Sequence, residues 1–191
     1  MNQGYKLYLD FDGTIVNTIA AITSLYNEDF KYYDNFSPIK WWEVNTWKFE
    51  ECNCATSEYI NEYFNQQRFF DKLTYMDWAK EVLDELRRDY EITVVSIGDK
   101  PNLRAKEIWI QENLPYCKFI CVNFDEHKDK SHIDMSEGIL LDDSINNLAT
   151  SNALVNICFG DVYPWNEKWD GIRCNNWTDV KKFLKRKERS S

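Results

Sequence analysis

Apolar and polar positions follow two rhythms along the chain. Short apolar runs, each closed by a turn-forming or charged residue, recur at Lys6–Leu9, Ile92–Ser96, Phe119–Val122, Gly138–Asp142 and Ala153–Cys158. Runs of this length are too short for helices and predict buried strands. Between them the spacing turns helical. Trp78, Val82 and Leu86 stand four apart, and Leu103, Ile108 and Trp109 recur through Pro101–Leu114, a segment opened by a proline suited to a first helical turn. Both helices are expected to pack on the sheet. A last helix is expected to start near Thr178 as N-cap and to turn Val180, Phe183 and Leu184 inward before a charged, solvated tail, Lys185–Ser191. Strands alternating with helices predict an α/β domain built on a parallel sheet.

The alternation breaks between residue 17 and about residue 75. Aromatics crowd this stretch, several short helical patterns run through it and no strong strand interrupts them. It is expected to be an inserted helical cap over 17–71, leaving and re-entering a core of 1–16 and 72–191 through short connections near Asn17 and Asp71. A chain of 191 residues suits one domain with such an insert and can bury a real core.

Composition narrows the choice of partner. The net charge of -9 disfavours a polynucleotide ligand, because affinity for nucleic acid comes from clustered Lys and Arg. A small anionic substrate held by a metal and a few local cations fits better. No apolar stretch approaches membrane-spanning length, and the chain enters its first strand without a basic leader or cleavage pattern, so a cytoplasmic location is expected. The six cysteines (Cys52, Cys54, Cys117, Cys121, Cys158 and Cys174) are irregularly spaced and are expected to be reduced thiols. Zinc is disfavoured, since C-x-C at Cys52 and Cys54 is not a zinc-knuckle spacing and His127 and His132 lie far away in sequence.

The first strand closes on two aspartates, Asp10 and Asp12, followed by Gly13. Residues two apart on a strand share a face, and a glycine allows a turn sharp enough to bring both carboxyl groups beside one pocket. Ligands of open parallel sheets bind at the strands' carboxyl ends, where Ser96, Lys130 and the pair Asp142-Asp143 also fall. So many carboxylates in one pocket repel each other, and a hard divalent cation, typically Mg²⁺, relieves this. Lys130 and the Ser96 hydroxyl then offer donors to an anion's oxygens. Carboxylate nucleophile, proton donor, metal bridge and oxygen clamp together form the inventory for phosphoryl transfer. Lys106 competes with Lys130 for the clamp. Lys130 is preferred, because Lys106 falls in a predicted helix where a lysine faces solvent by default.

In order and at strand ends, Asp10-Phe-Asp-Gly-Thr14, Ser96, Lys130 and Asp142-Asp143 resemble the four motifs of the haloacid dehalogenase (HAD) superfamily of phosphatases. Within it the chain looks most like the 5'(3')-deoxyribonucleotidases. That likeness extends to Trp41-Trp42, to Phe69-Phe70 ahead of Met76, to Ala105–Leu114, to the lysine twelve residues before Asp142 and to Trp165 and Trp169. The resemblance implies a three-layer, Rossmann-like core and an Mg²⁺-dependent phosphomonoester hydrolase. Asp10 would form an aspartyl-phosphate. Asp12 would protonate the leaving group, activate the hydrolytic water and offer its backbone carbonyl to the metal. Asp143 would be a direct ligand, with Asp142 as an outer or alternative one. Trp41, Trp42, Phe70, Thr18 and Gly13 would meet the substrate, a nucleoside monophosphate.

Two positions depart from that family. Thr18 stands where a base-stacking Phe is usual, and Ser96 is followed by Ile97-Gly98 where a second hydroxyl is usual. The alternatives are a HAD phosphatase for another small phosphoester, or a non-catalytic phosphoryl-binding protein on the same fold.

Overall fold

The structure, a computed structural model, describes residues 5–188. Six strands, β1 (Tyr5–Leu9), β2 (Tyr90–Gly98), β3 (Lys118–Asn123), β4 (Gly138–Asp142), β5 (Val155–Phe159) and β6 (Ile172–Cys174), form one sheet. All pair in parallel, in the order β3-β2-β1-β4-β5-β6. Chain order reverses between β1 and β4, the point where open α/β sheets bind ligands. Leu9 pairs with Val94 on one side and Leu141 on the other, so the residues just beyond these three strands emerge together.

The strands alternate in what they bury. Leu7, Leu9, Val94, Leu141 and Phe159 join the larger core cluster, while Tyr8, Val95, Leu140 and Cys158 join a smaller one on the opposite face. Helices α1 (Thr18–Phe30), α2 (Ser57–Asn61), α3 (Gln67–Asp71), α4 (Ala79–Leu86), α5 (Lys100–Asn113), α6 (Ile145–Thr150) and α7 (Trp177–Glu188) complete the architecture. Residues of α4, α5 and α7 pack into the larger cluster, and Leu148 of α6 packs into the smaller one. The architecture is α/β, with helices on both sheet faces. Among the described residues no helix is long and apolar enough to cross a membrane.

Between β1 and α4 the regular elements are all helical, α1, α2 and α3 with short 3-10 turns at Trp41–Glu43, Phe49–Cys52 and Glu62–Asn65, separated by loops. Its two connections lie side by side: the Asn17 amide donates to the Thr74 carbonyl and the Met76 amide to the Ile15 carbonyl, each at 2.9 Å.

Four local expectations are corrected. Trp78 is exposed rather than packed, since it precedes α4 with a left-handed φ of 67° that turns it off the helix face. Ile108 is 48% exposed, whereas Leu103 and Trp109 on α5 are buried. Thr178 is not the cap of α7. The Asn176 side chain accepts the Asp179 amide at 3.0 Å, so the cap lies two residues earlier and the helix brings Trp177 fully into the core. That helix continues to Glu188, and the end of the charged tail lies outside the described residues. Strand β6 was not foreseen, because three residues starting with an exposed Ile carry too little pattern.

Candidate active site

Asp10 follows β1, and its amide still donates to Leu141 on β4, at 2.9 Å. Its side chain is therefore fixed at the sheet's carboxyl edge. The loop beyond β3 returns the fully buried Lys130, whose Nζ donates to Asp10 Oδ1 and Asp142 Oδ2, each at 2.5 Å. Asp142 closes β4 and is saturated by protein donors: besides Lys130, it accepts from the Ser144 amide at 2.9 Å and from Asn147 Nδ2 at 3.1 and 3.2 Å. Asp143 differs. It accepts from the Trp165 indole Nε1 at 3.1 Å.

Gly13 has a positive φ of 69°, and a Cβ there would come within 3.2 Å of Asp143 Oδ2. Glycine serves both the turn and this close approach.

Burial raises the Asp10 carboxyl to about 7; Lys130 opposes the shift, and the charges of Asp142 and Asp12 add to it. Burial likewise pushes Asp143 well above the usual carboxylate range, reinforced by Asp10 and Asp142 and opposed by the Trp165 hydrogen bond. For Lys130, burial alone would lower the ammonium, but the charges and hydrogen bonds of Asp10 and Asp142 outweigh it and hold the group above its ordinary value.

Carboxylate oxygens of Asp10, Asp142 and Asp143 lie within 4.8 Å of one another. Three carboxylates around one buried ammonium leave an excess of negative charge, and the donors are all oxygen. Such a set fits a hard divalent cation such as Mg²⁺. The Asp12 side chain is not part of this group. It turns away, accepting from Thr18 Oγ1 at 2.8 Å and from Lys106 Nζ at 2.5 Å.

Lys106 is the main correction in the site. It is 1% exposed, not solvent-facing, and its ammonium also donates to Ser96 Oγ at 2.9 Å and the Ile97 carbonyl at 3.3 Å. Helix α5 begins at the end of β2, with the Asp99 carboxylate capping the Asn102 amide at 2.8 Å. Its first turns therefore run past the sheet's carboxyl edge, and an inward position there meets polar groups. The polar neighbours at the ends of β1 and β2 make burial of Lys106 possible.

Two cavities open beside these groups. One, of about 330 Å³, is lined by Gly13, Asp143, Trp41, Trp47, Tyr163 and Trp165 among others. The second, of about 390 Å³, is bounded by Asp12, Lys106, Asn65, Phe64 and again Trp47. The sheet edge supplies the charged walls, and the helical segment between β1 and α4 supplies aromatic ones.

Residues 5–189 match the model of the family described as 5' nucleotidase, deoxy (pyrimidine), cytosolic type C protein. The chain belongs to that family. A curated relative in Clostridium acetobutylicum, a 5'(3')-deoxyribonucleotidase, is 26% identical over 175 residues, covering 92% of each chain. Among solved structures, a HAD-superfamily hydrolase from Ehrlichia chaffeensis aligns with a TM-score of 0.61 at 15% identity, over 97% of this chain and 98% of that one. A HAD-hydrolase from Bacillus subtilis bound to magnesium aligns with a TM-score of 0.60 at 12% identity, over 95% and 99%. The fold is that of the HAD hydrolases.

Within this nucleotidase-family chain, the residues singled out from sequence divide into two groups. Asp10, Asp142, Asp143 and Lys130 converge, as do Asp12 and Ser96 around Lys106. Gly13 and Trp41 line the first cavity. The others do not meet it. Trp42 is 64% exposed and stacks edge-on against Trp41, Phe70 is buried in the core, and Thr18 is sealed beneath Asp12. Trp42, Phe70 and Thr18, expected to meet the substrate, are not among the residues that line either cavity.

Tyr163 went unnoticed in the sequence, and Trp165 was noted only for its likeness to relatives. Their rings stack at 4.4 Å with 2° between planes, on a loop after β5 where only an aromatic cluster hinted at a role. The histidines His127 and His132 stack on each other at 3.5 Å away from the carboxylates, and the cysteines are free thiols.

Proposed function

We propose that this chain is a magnesium-dependent phosphomonoester hydrolase that uses an aspartyl-phosphate on Asp10, with deoxyribonucleoside monophosphates as its substrates. The carrying observation is the pairing of the two motif-one aspartates with different lysines: Asp10 with Lys130 and Asp12 with Lys106. One carboxylate sits in the multi-carboxylate pocket and its neighbour sits outside it. That separation suits two roles, nucleophile and proton carrier.

In this reading an Asp10 oxygen bonds to phosphorus as the ester P–O bond breaks, and Asp12 gives a proton to the departing alkoxide. Water then attacks the same phosphorus, Asp12 takes its proton, and the Asp10 carboxylate leaves. Lys106 and the Ser96 hydroxyl donate to phosphoryl oxygens, while Lys130 holds Asp10 and Asp142 in register. The divalent cation, held by Asp10, Asp143 and the Asp12 backbone carbonyl with Asp142 behind them, would neutralise the gathering charge of phosphate and carboxylates. Binding alone would not call for an acid beside a nucleophile, which favours an enzyme over a phosphoryl-binding scaffold.

A helical segment acting as cap and the aromatic walls of Trp41, Trp47 and Tyr163 support a flat leaving group. Family membership and the deoxyribonucleotidase relative support a nucleotide.

The test is a phosphate-release screen over deoxyribonucleoside and ribonucleoside monophosphates and sugar phosphates with Mg²⁺. Deoxyribonucleotides are expected to lead, and preference for sugar phosphates would overturn the nucleotide reading. Asp10→Asn should lower turnover by about a thousandfold or more while the thermal midpoint stays near wild type, as measured by phosphate release and circular dichroism.

A further inference from the structure

We propose that Trp165 is a positioning residue, whose indole N–H orients Asp143 for the divalent cation. The inference rests on the cation site of the reading above but not on the identity of the substrate. Asp142 is held by Lys130, Ser144 and Asn147, and Asp10 by Lys130. Asp143 relies on a neutral donor, Trp165 Nε1 at 3.1 Å, with Gly13 pressed close to the same oxygen. A carboxylate with one oxygen held this way cannot rotate freely, so the face it turns toward Asp10 and Asp142 is fixed before a cation arrives. A neutral donor suits this role better than a lysine. It fixes direction without supplying a positive charge that would compete with the metal.

The loop that presents Trp165 is built to keep it there. Asn166 is fully buried, accepts from the Tyr163 amide at 2.9 Å and donates to the Asp161 carbonyl at 3.1 Å. Arg173 on β6 spans the same loop, donating to the Gly160 carbonyl at 3.2 Å and the Asn166 carbonyl at 2.7 Å. The loop is thereby anchored to the sheet. Tyr163 covers one face of the Trp165 ring in parallel, and Trp47 meets it from the helical segment at 5.8 Å and 55°. The indole is therefore held by its face while its edge N–H points to Asp143.

The experiment is isothermal calorimetry of Mg²⁺ binding to wild type, Trp165→Phe and Trp165→His, with phosphate release at increasing Mg²⁺ run alongside. Phe keeps an aromatic face but has no donor, and should weaken Mg²⁺ binding about tenfold or more, the lower end of the range for partners that orient metal ligands. Its kcat should return toward wild type at saturating Mg²⁺, a recovery that a merely damaged fold would not give. His keeps a ring N–H and should restore part of the affinity, and it decides the matter if Phe fails to fold. Unchanged Mg²⁺ affinity in a folded Phe variant overturns the proposal, as does a loss that His shares in full. The two readings fail separately. Cation binding that depends on Trp165 in a chain inert toward nucleotides would retain this inference and remove the substrate assignment. Nucleotide hydrolysis by a wild type that binds no Mg²⁺ would do the reverse.

Discussion

Lys106 and Thr18 share the side chain of Asp12, one on each oxygen, and neither role follows from its position in the chain alone. Thr18 occupies the place where a base-stacking ring is usual in similar proteins, yet here it is fully buried beneath the proposed acid/base. Thr18→Val keeps the volume and loses the hydroxyl. It should lower kcat/KM by about fivefold for alkyl phosphates, the worth of one hydrogen bond, and less for aryl phosphates whose leaving groups need little protonation. An equal loss on both would show that Thr18 serves packing only. Thr18→Phe, by contrast, has no space to fill and should destabilise the protein by about 1–3 kcal/mol in urea denaturation. Lys106→Met should reduce kcat/KM about a hundredfold on every phosphoester, because it takes the charge from both Asp12 and the proposed phosphate clamp; retention of wild-type kinetics would return that clamp to Lys130 alone.

The helical segment between β1 and α4 is held together by a polar staple as well as by its aromatics. Asp29 near the end of α1 accepts both guanidinium nitrogens of Arg68 on α3 at 2.6 Å, and the Tyr63 hydroxyl at 2.9 Å. The Arg68 hydrogen bonds, followed by those of the tyrosines, hold the Asp29 carboxyl below its ordinary value of 3.8. A carboxyl depressed in the folded state contributes stability above its unfolded value, and that contribution is lost as pH falls through the folded one. Asp29→Asn should therefore cost about 1–2 kcal/mol near neutral pH, discounted because Arg68 is partly exposed, and the difference from wild type should vanish in strong acid. Urea midpoints of the two proteins across pH would show it, and a difference independent of pH would refute the charge as its source. Of these elements, the strands and the helical character of 17–71 were legible, because alternation and short apolar runs are local signals. Strand β6 and the start of α7 were not. A three-residue strand is defined by its pairing with β5, and the α7 cap by the Asn176 side chain, rather than by periodicity.

At the scale of the whole molecule, Trp47 belongs to the helical segment but lines both cavities beside the sheet edge. If the base of a nucleotide stacks there, Trp47→Ala should lower kcat/KM for nucleoside monophosphates by about 1–3 kcal/mol of transition-state stabilisation, and leave a base-free phosphoester nearly unaffected. Thermal melts separate this from a collapsed segment, which would lower stability and impair all substrates together. Trp42→Ala, at an exposed position off the cavity, should change neither specificity nor stability by more than about 0.5 kcal/mol.

Taken alone, the sequence determined the order of the chemistry: Asp10 and Asp12 after the first strand, Ser96 near the end of the second, Lys130 in a loop and Asp142-Asp143 at the close of the fourth. Those positions follow from short-range pattern, since an apolar run broken by a polar residue marks a strand end wherever it occurs, and parallel pairing carries all such ends to one edge. Tertiary structure alone decided how they pair. Lys106 reaches Asp12 across 94 positions of sequence and Lys130 reaches Asp10 across 120, and nothing in the helical period around Lys106 distinguishes a face turned to solvent from one turned to a polar cleft. The same holds for the aromatics, where Phe70 fills the core, Trp42 meets water and Trp47 and Trp165 face the cavity. Ring chemistry is common to all four, and their roles were set by which surface each element happened to be packed against.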